Sequence, residues 1–161
     1  MKQNQPIKRS ASLTPLSHDH HHGLVISRRM REGLKRNIQP GRINAYVRDF
    51  WEHDLQRHFG EEEAVIFPLL GKEHELVHQA LTDHEQMRRY MQQLTSPGTN
   101  ETELLRQFAE LLQSHIRFEE RTLFPEIERL VPGHLLTEAG KSLHQGHSVS
   151  CVSWEDEFWL G

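Results

Sequence analysis

The segment of residues 58–68 reads HFGEEEAVIFP, and it recurs at residues 115–125 as HIRFEERTLFP. Both copies have His at the first position, Glu at the fifth and sixth, and an aliphatic residue followed by Phe-Pro at the end. The agreement continues upstream, where Leu55 and Leu112 occupy the same position relative to each histidine. We interpret the two segments as an internal duplication.

Within each copy, the histidine and the glutamate at the fifth position are four residues apart, a spacing that places both on one face of a helix. His58 therefore points the same way as Glu62, and His115 the same way as Glu119. The upstream leucines indicate that this face is turned towards a core. Burying an imidazole or a carboxylate without a partner is costly. The spacing therefore predicts a metal site shared between the two copies, since metal would satisfy all four groups.

The bulk properties restrict the class of protein. The chain has 161 residues, a net charge of −4 and a single cysteine. This length predicts one domain, and the acidic balance argues against a nucleic-acid partner. A lone cysteine supplies neither a disulfide framework nor a thiolate metal site. With no apolar run long enough to span a membrane and no secretory signal core, we expect a cytoplasmic protein without a membrane partner.

Hydrophobic periodicity predicts four long helices, at about residues 15–36, 42–67, 73–94 and 100–130. Asn100, three residues before Glu103, is expected to cap the fourth helix. Pro68 is expected to kink or end the second helix, whereas Pro125 lies inside the fourth. A shorter helix is predicted at residues 134–144. Short loops between long helices predict an all-α, up-down-up-down four-helix bundle with a short C-terminal helical extension.

We divide the chain into a flexible N-terminus (1–14), the helical domain (15–131) and a C-terminal extension (132–161). The extension ends in an aromatic stretch with three large rings, Trp154, Phe158 and Trp159. Such a stretch is expected to dock either onto the bundle or onto a partner, including a second copy of the chain. The sequence does not distinguish these two alternatives.

If the duplicated units are helix pairs, the first and third helices should each present an equivalent histidine. The third helix contains Asp83-His84, and the first contains Asp19-His20. His20 lies on the apolar stripe of its helix, and His21, one residue out of phase, is the alternative. The predicted metal ligands are therefore His20, His58, Glu62, His84, His115 and Glu119.

Six nitrogen and oxygen ligands exceed the four of a tetrahedral zinc site. The set fits two ions bridged by Glu62 and Glu119, each with two histidines. Nitrogen and carboxylate ligands in a helical bundle favour iron, with manganese next and zinc less favoured. Glu61, Glu63 and Glu120 are interpreted as solvated or as outer groups of the site. Asp19 and Asp83 are weaker candidates for orienting an imidazole, because adjacent residues diverge on a helix.

Over residues 13–130 the chain resembles the hemerythrin-like family, also called the HHE cation-binding domain. The shared marks are the Asp-His pairs of the first and third helices and the repeated His-x-x-x-Glu-Glu with its downstream Phe-Pro. The resemblance implies a four-helix bundle with a carboxylate-bridged di-iron centre. The family's oxygen carriers have a second histidine four residues after the ligand of the third helix, where this chain has Arg88. Four histidines and two glutamates are closer to the members linked to iron–sulfur cluster repair.

The resemblance and the ligand set together predict a di-iron protein that binds or senses dioxygen, nitric oxide or redox state. The alternative is a di-iron enzyme acting on peroxide or nitric oxide, or an iron donor in nitrosative or oxidative stress and cluster repair. A third interpretation is a bundle that uses metal only for stability. No general acid or base stands out beyond the ligands, so binding or sensing ranks above catalysis.

Overall fold

The computed structural model describes residues 8–96, 100–143 and 153–161, and these residues contain helices and no strand. Helix α1 spans Thr14–Lys35 and α3 spans Glu75–Leu94. Helix α2 begins as Pro40–Phe50 and continues through Trp51–Leu55, Gln56–Glu61, Glu62–Ile66 and a final 3-10 turn at Phe67–Leu69. Helix α4 begins as Glu101–Phe118 and continues through Glu119–Leu123 and Phe124–Leu130; α5 spans Gly133–Gly140.

The predicted all-helical class is confirmed, and the four long helices begin and end close to the bounds given by periodicity. The predicted cap is also present, since the backbone N–H of Glu103 donates to the Asn100 side chain at 3.2 Å. Residues 1–7 of the N-terminus, His144 and Cys151 lie outside the described residues. The extension helix, predicted to reach residue 144, ends at Gly140. Among those described, no helix combines the length and the apolar character that crossing a membrane requires.

Each copy of the duplicated motif contains a π-helical turn that the sequence analysis did not predict. The turns Glu62–Ile66 and Glu119–Leu123 are closed by hydrogen bonds from Phe67 N–H to Glu62 O and from Phe124 N–H to Glu119 O. A proline follows each of these phenylalanines, and proline lacks an N–H and crowds the preceding turn. The helix is therefore widened just before Pro68 and Pro125. After the widened turn α2 ends within a few residues, whereas α4 continues to Leu130.

The apolar core has two clusters, and the polar motif lies between them along α2 and α4. On α2, Leu55 and Phe59 belong to one cluster, and Ile66 and Phe67 belong to the other. The corresponding residues of α4 are divided between the same two clusters. Burying side chains of this size contributes about 1.5–3 kcal/mol each. The polar groups are thus held between two well-packed layers that keep water away.

The aromatic tail packs on its own chain. Phe158 is fully buried, and its ring lies 5.2 Å from that of Tyr46. Gly33 of α1 permits this approach, because a Cβ at that position would lie 2.7 Å from the Phe158 ring. The guanidinium of Arg29 lies over the Trp159 ring, 4.1 Å from its centroid. Phe158 is therefore part of the apolar cluster that contains Leu55 and Phe59, and Trp159 packs against that cluster.

Candidate metal centre

The structure brings all six predicted ligands together in the interior. One histidine comes from α1, one from α3, and a His/Glu pair from each of α2 and α4. None has more than 3% of its surface exposed: His20, His58, Glu62, His84, His115 and Glu119. His21, the alternative on α1, is exposed. Burial therefore favours His20 over His21, in agreement with its position on the apolar stripe of the helix.

The six side chains form two groups that share both glutamates. His20 and His58 join Glu62 and Glu119 in one group, and His84 and His115 join the same glutamates in the other. The Nε2 atoms are 3.1 Å apart in the first histidine pair and 3.2 Å apart in the second. Two imidazoles about 2.1 Å from one ion, at a right angle, would be about 3.0 Å apart. The arrangement therefore suits two cations bridged by two carboxylates.

Each of the four histidines has a carboxylate on its outer nitrogen. Asp19 lies 3.0 Å from Nδ1 of His58, and Asp83 lies 3.0 Å from Nδ1 of His115. Neither aspartate serves the histidine beside it in sequence. The divergence of adjacent residues, which weakened the sequence argument, is what lets each aspartate reach a histidine on another helix. Both aspartates therefore occupy the place of a carboxylate that orients a metal-binding imidazole.

Two glutamates complete this outer ring. Glu120 lies 2.6 Å from Nδ1 of His20, and Glu63 lies 2.9 Å from Nδ1 of His84. Glu63 and Glu120, interpreted from the sequence as either solvated or outer groups of the site, are therefore outer groups. Glu61 instead pairs with Arg57 at 3.3 Å. The signal in the sequence was the second glutamate of each His-x-x-x-Glu-Glu, which occurs in both copies.

The outer carboxylates determine which imidazole nitrogen carries the proton. A histidine that donates its Nδ1 proton to a carboxylate presents a lone pair at Nε2. The four Nε2 atoms converge here, and among the described residues the buried carboxylate oxygens of Glu62 and Glu119 have no hydrogen-bond partner. The Nε2 of His115 lies only 2.6 Å from Glu119, yet not in hydrogen-bond geometry. Cations would satisfy all of these groups, so the residues fit a metal centre.

The close packing of these buried groups shifts the pKa values of Glu62, Glu119 and His115 when no metal is bound. Burial and the neighbouring Glu119 raise the pKa of Glu62 to about 8. Burial also acts to raise the pKa of Glu119, but His115 outweighs it and lowers that pKa. For His115, burial opposes the charged form, but Glu119 and Asp83 outweigh it and raise the pKa to about 10. Protons thus take the place of metal charge when the site holds none.

A cavity of about 20 Å³ borders the site, and its lining includes His20, His58 and His115. Its apolar walls include Gly23, Leu55, Phe59 and Ile116. A space of 10–15 Å³ on this measure holds about one water molecule. The cavity can therefore admit a ligand of two or three atoms next to the His20/His58 pair.

Two differences between the duplicated halves bear on this cavity. Three residues after the helix-one and helix-three histidines stand Gly23 and Met87, respectively. One residue after the α2 and α4 histidines stand Phe59 and Ile116. The Phe59 ring stacks on His84 with the centroids 3.8 Å apart. The larger residues thus fill the space around His84, which is not among the residues that line the cavity, and the smaller Gly23 and Ile116 leave room beside His20.

A family model described as the hemerythrin HHE cation-binding domain matches residues 11–127, a range that contains all six predicted ligands. No curated protein and no solved structure matches the chain significantly. The matched family binds cations, and the buried His/Glu groups are of the kind that hold them.

Proposed function

Because the chain belongs to the hemerythrin HHE cation-binding family, we propose that it is a non-haem di-iron protein that binds or senses dioxygen, nitric oxide or redox state. The proposal places the iron pair inside an up-down-up-down four-helix bundle. One observation carries it: four Nε2 atoms and two unpartnered carboxylates converge while a carboxylate holds each outer Nδ1. Such outer partners orient ligands for a metal.

The ligand types favour iron among the metals. The site offers imidazole and carboxylate groups, whereas magnesium and calcium prefer all-oxygen sites and structural zinc usually has thiolates. Carboxylate and histidine ligands that project into a helical bundle are typical of di-iron proteins. When bound, an iron pair supplies one-electron chemistry and open positions for a small ligand. His20 and His58 would hold one ion and His84 and His115 the other, with Glu62 and Glu119 within reach of both.

The surroundings favour a small and uncharged ligand. The cavity next to His20 and His58 has room for about one water-sized molecule, and most of its walls are apolar. Leu55, Leu112 and Ile116 contribute apolar side chains to this lining. Dioxygen and nitric oxide satisfy both limits of size and charge. The proposed site of binding is therefore the His20/His58 half of the centre.

Anaerobic iron loading followed by metal analysis tests the centre. Wild type should retain about two irons per chain, and Glu62→Ala and His115→Ala should each retain less. His53→Ala is the matched control, because His53 lies on α2 but is exposed. Full iron occupancy in a His58→Ala/His115→Ala double variant would refute the ligand set. A reversible spectral change on adding nitric oxide or dioxygen supports binding or sensing, and a metal that azide cannot reach supports a structural role.

One observation favours an enzyme as the second candidate. His22 and Asp54, both half-buried, line the same cavity, and either side chain can exchange a proton with a bound ligand. Turnover of peroxide or nitric oxide by the iron-loaded chain, reduced in His22→Ala with the iron content unchanged, would support this candidate. Reversible binding without turnover would support the first.

A further inference from the structure

The segment that precedes α1 reaches the metal centre through Arg9, whose side chain is 8% exposed. The Arg9 guanidinium donates to the backbone carbonyl of Glu120 at 2.6 Å and to its carboxylate at 3.1 Å. It also pairs with the carboxylate of Glu128, which accepts a hydrogen bond from Ser10 N–H at 2.6 Å. Two carboxylates of α4 thus hold this segment in place.

Arg9 contacts both groups that flank the His20 imidazole. Glu120, its ion-pair partner, lies 2.6 Å from Nδ1 of His20. The guanidinium also lies over the Phe124 ring at 5.4 Å, and that ring stacks on His20 with centroids 5.3 Å apart. The imidazole is therefore fixed at its outer nitrogen and at one face by residues that Arg9 holds.

In the other half of the centre, the arginine that pairs with the outer glutamate comes from a different place in the chain. The outer nitrogen of His84 faces Glu63, and Glu63 accepts from Arg88 at 2.5 Å. Arg88 lies four residues after His84 on the same helix, where the corresponding residue after His20 is Leu24. Helix α1 therefore lacks the cation that its duplicate carries, and Arg9 supplies one from outside the helix.

We propose that Arg9 is a positioning residue of the metal centre: it holds Glu120, and through Glu120 the His20 imidazole, so that residues 8–13 govern retention of the metal bound by His20 and His58. The inference rests on the proposed di-metal function. A planar guanidinium suits this role because it can bond several oxygens in a defined orientation. Removing it would leave the half-buried Glu120 without its cation and free to turn away from His20.

The test is the release of iron from the full-length, iron-loaded chain to an excess of ferrous chelator. Arg9→Ala should release one of its two irons about tenfold faster than wild type, since loss of an outer partner costs about 10–100-fold in metal affinity. The second iron should leave at the wild-type rate. Arg129→Ala is the matched control, because Arg129 pairs with Glu126 on the same helix but is 67% exposed.

A double variant separates positioning from a general loss of structure. Arg9→Ala/Leu24→Arg restores a cation at the position equivalent to Arg88, and it should bring the fast release back towards the wild-type rate. Equal acceleration of both irons in Arg9→Ala would overturn the inference. If Arg9→Ala does not fold, Glu128→Gln, which weakens the anchor of Arg9, should show the same selective loss to a smaller degree, and unchanged release would count against the inference.

The two proposals fail in different ways. A wild-type chain that binds two irons, with an Arg9→Ala variant that releases both at the wild-type rate, overturns the role of Arg9 and leaves the di-iron proposal standing. A wild-type chain that binds no iron overturns both.

Discussion

Replacing Gly23 by alanine should close the cavity next to His20 without touching a ligand. A Cβ at this position would lie 2.7 Å from Cδ1 of Ile116. An ordinary contact begins at 3.4 Å, so the Ile116 methyl must move by at least 0.7 Å, the difference between these two distances. Ile116 lines the cavity, which is only about 20 Å³. A shift of this methyl into the cavity leaves too little room for a ligand.

The expected effect is on ligand affinity rather than on stability. One methyl group more in a close-fitting pocket costs about 1–3 kcal/mol, or about 10–200-fold in affinity. Overpacking costs a similar amount of stability, but replacing glycine by alanine inside a helix returns about 1 kcal/mol. The free energy of unfolding should therefore change little, while azide binds the iron-loaded variant at least about tenfold more weakly.

The assay is an optical titration of iron-loaded protein with azide, accompanied by iron analysis and thermal unfolding. Gly60→Ala is the matched control, since it gains the same helix propensity on α2 and its Cβ would meet no atom within 4 Å. Wild-type azide affinity in Gly23→Ala, with two irons retained, would show that this cavity is not where an external ligand binds.

Two further predictions concern stability. Removing iron should lower the melting temperature at pH 7.5, and the difference between iron-loaded and iron-free chains should shrink towards pH 5, because protons compete with metal for imidazole. The stability of the iron-free chain itself rises on acidification, which also narrows the difference. The pKa of His115 is raised from 6.5 to about 10, so the contribution of this histidine to stability is complete below pH 6.5 and is lost as the pH rises towards 10. A difference that widens on acidification in thermal unfolding would contradict this reasoning. Phe158→Ala should lower the free energy of unfolding in urea by about 3–5 kcal/mol, whereas Leu160→Ala, at a residue 64% exposed, should change it by less than about 0.5 kcal/mol; similar losses in both would show that the tail does not dock through Phe158.

The sequence by itself was sufficient for the helical class and for the inner face of the site. A helix turns by a constant angle per residue, so His58 and Glu62 must share a face wherever that helix packs. The same reasoning applies to His115 and Glu119, and the duplication led to His84 and to His20 on the other helices. Local spacing carried this information because both members of each pair lie on one rigid element.

Only the tertiary structure decided which groups support the ligands from outside. Asp19 serves His58 and not its neighbour His20, because α1 and α2 pack at a particular rotation that no local pattern specifies. The role of Arg9, the packing of Phe158 against Gly33, and the opening of one half-site depend on contacts between residues far apart in the chain. Helical spacing determines the direction of a side chain on its own helix, but what that side chain meets depends on how the helices pack together.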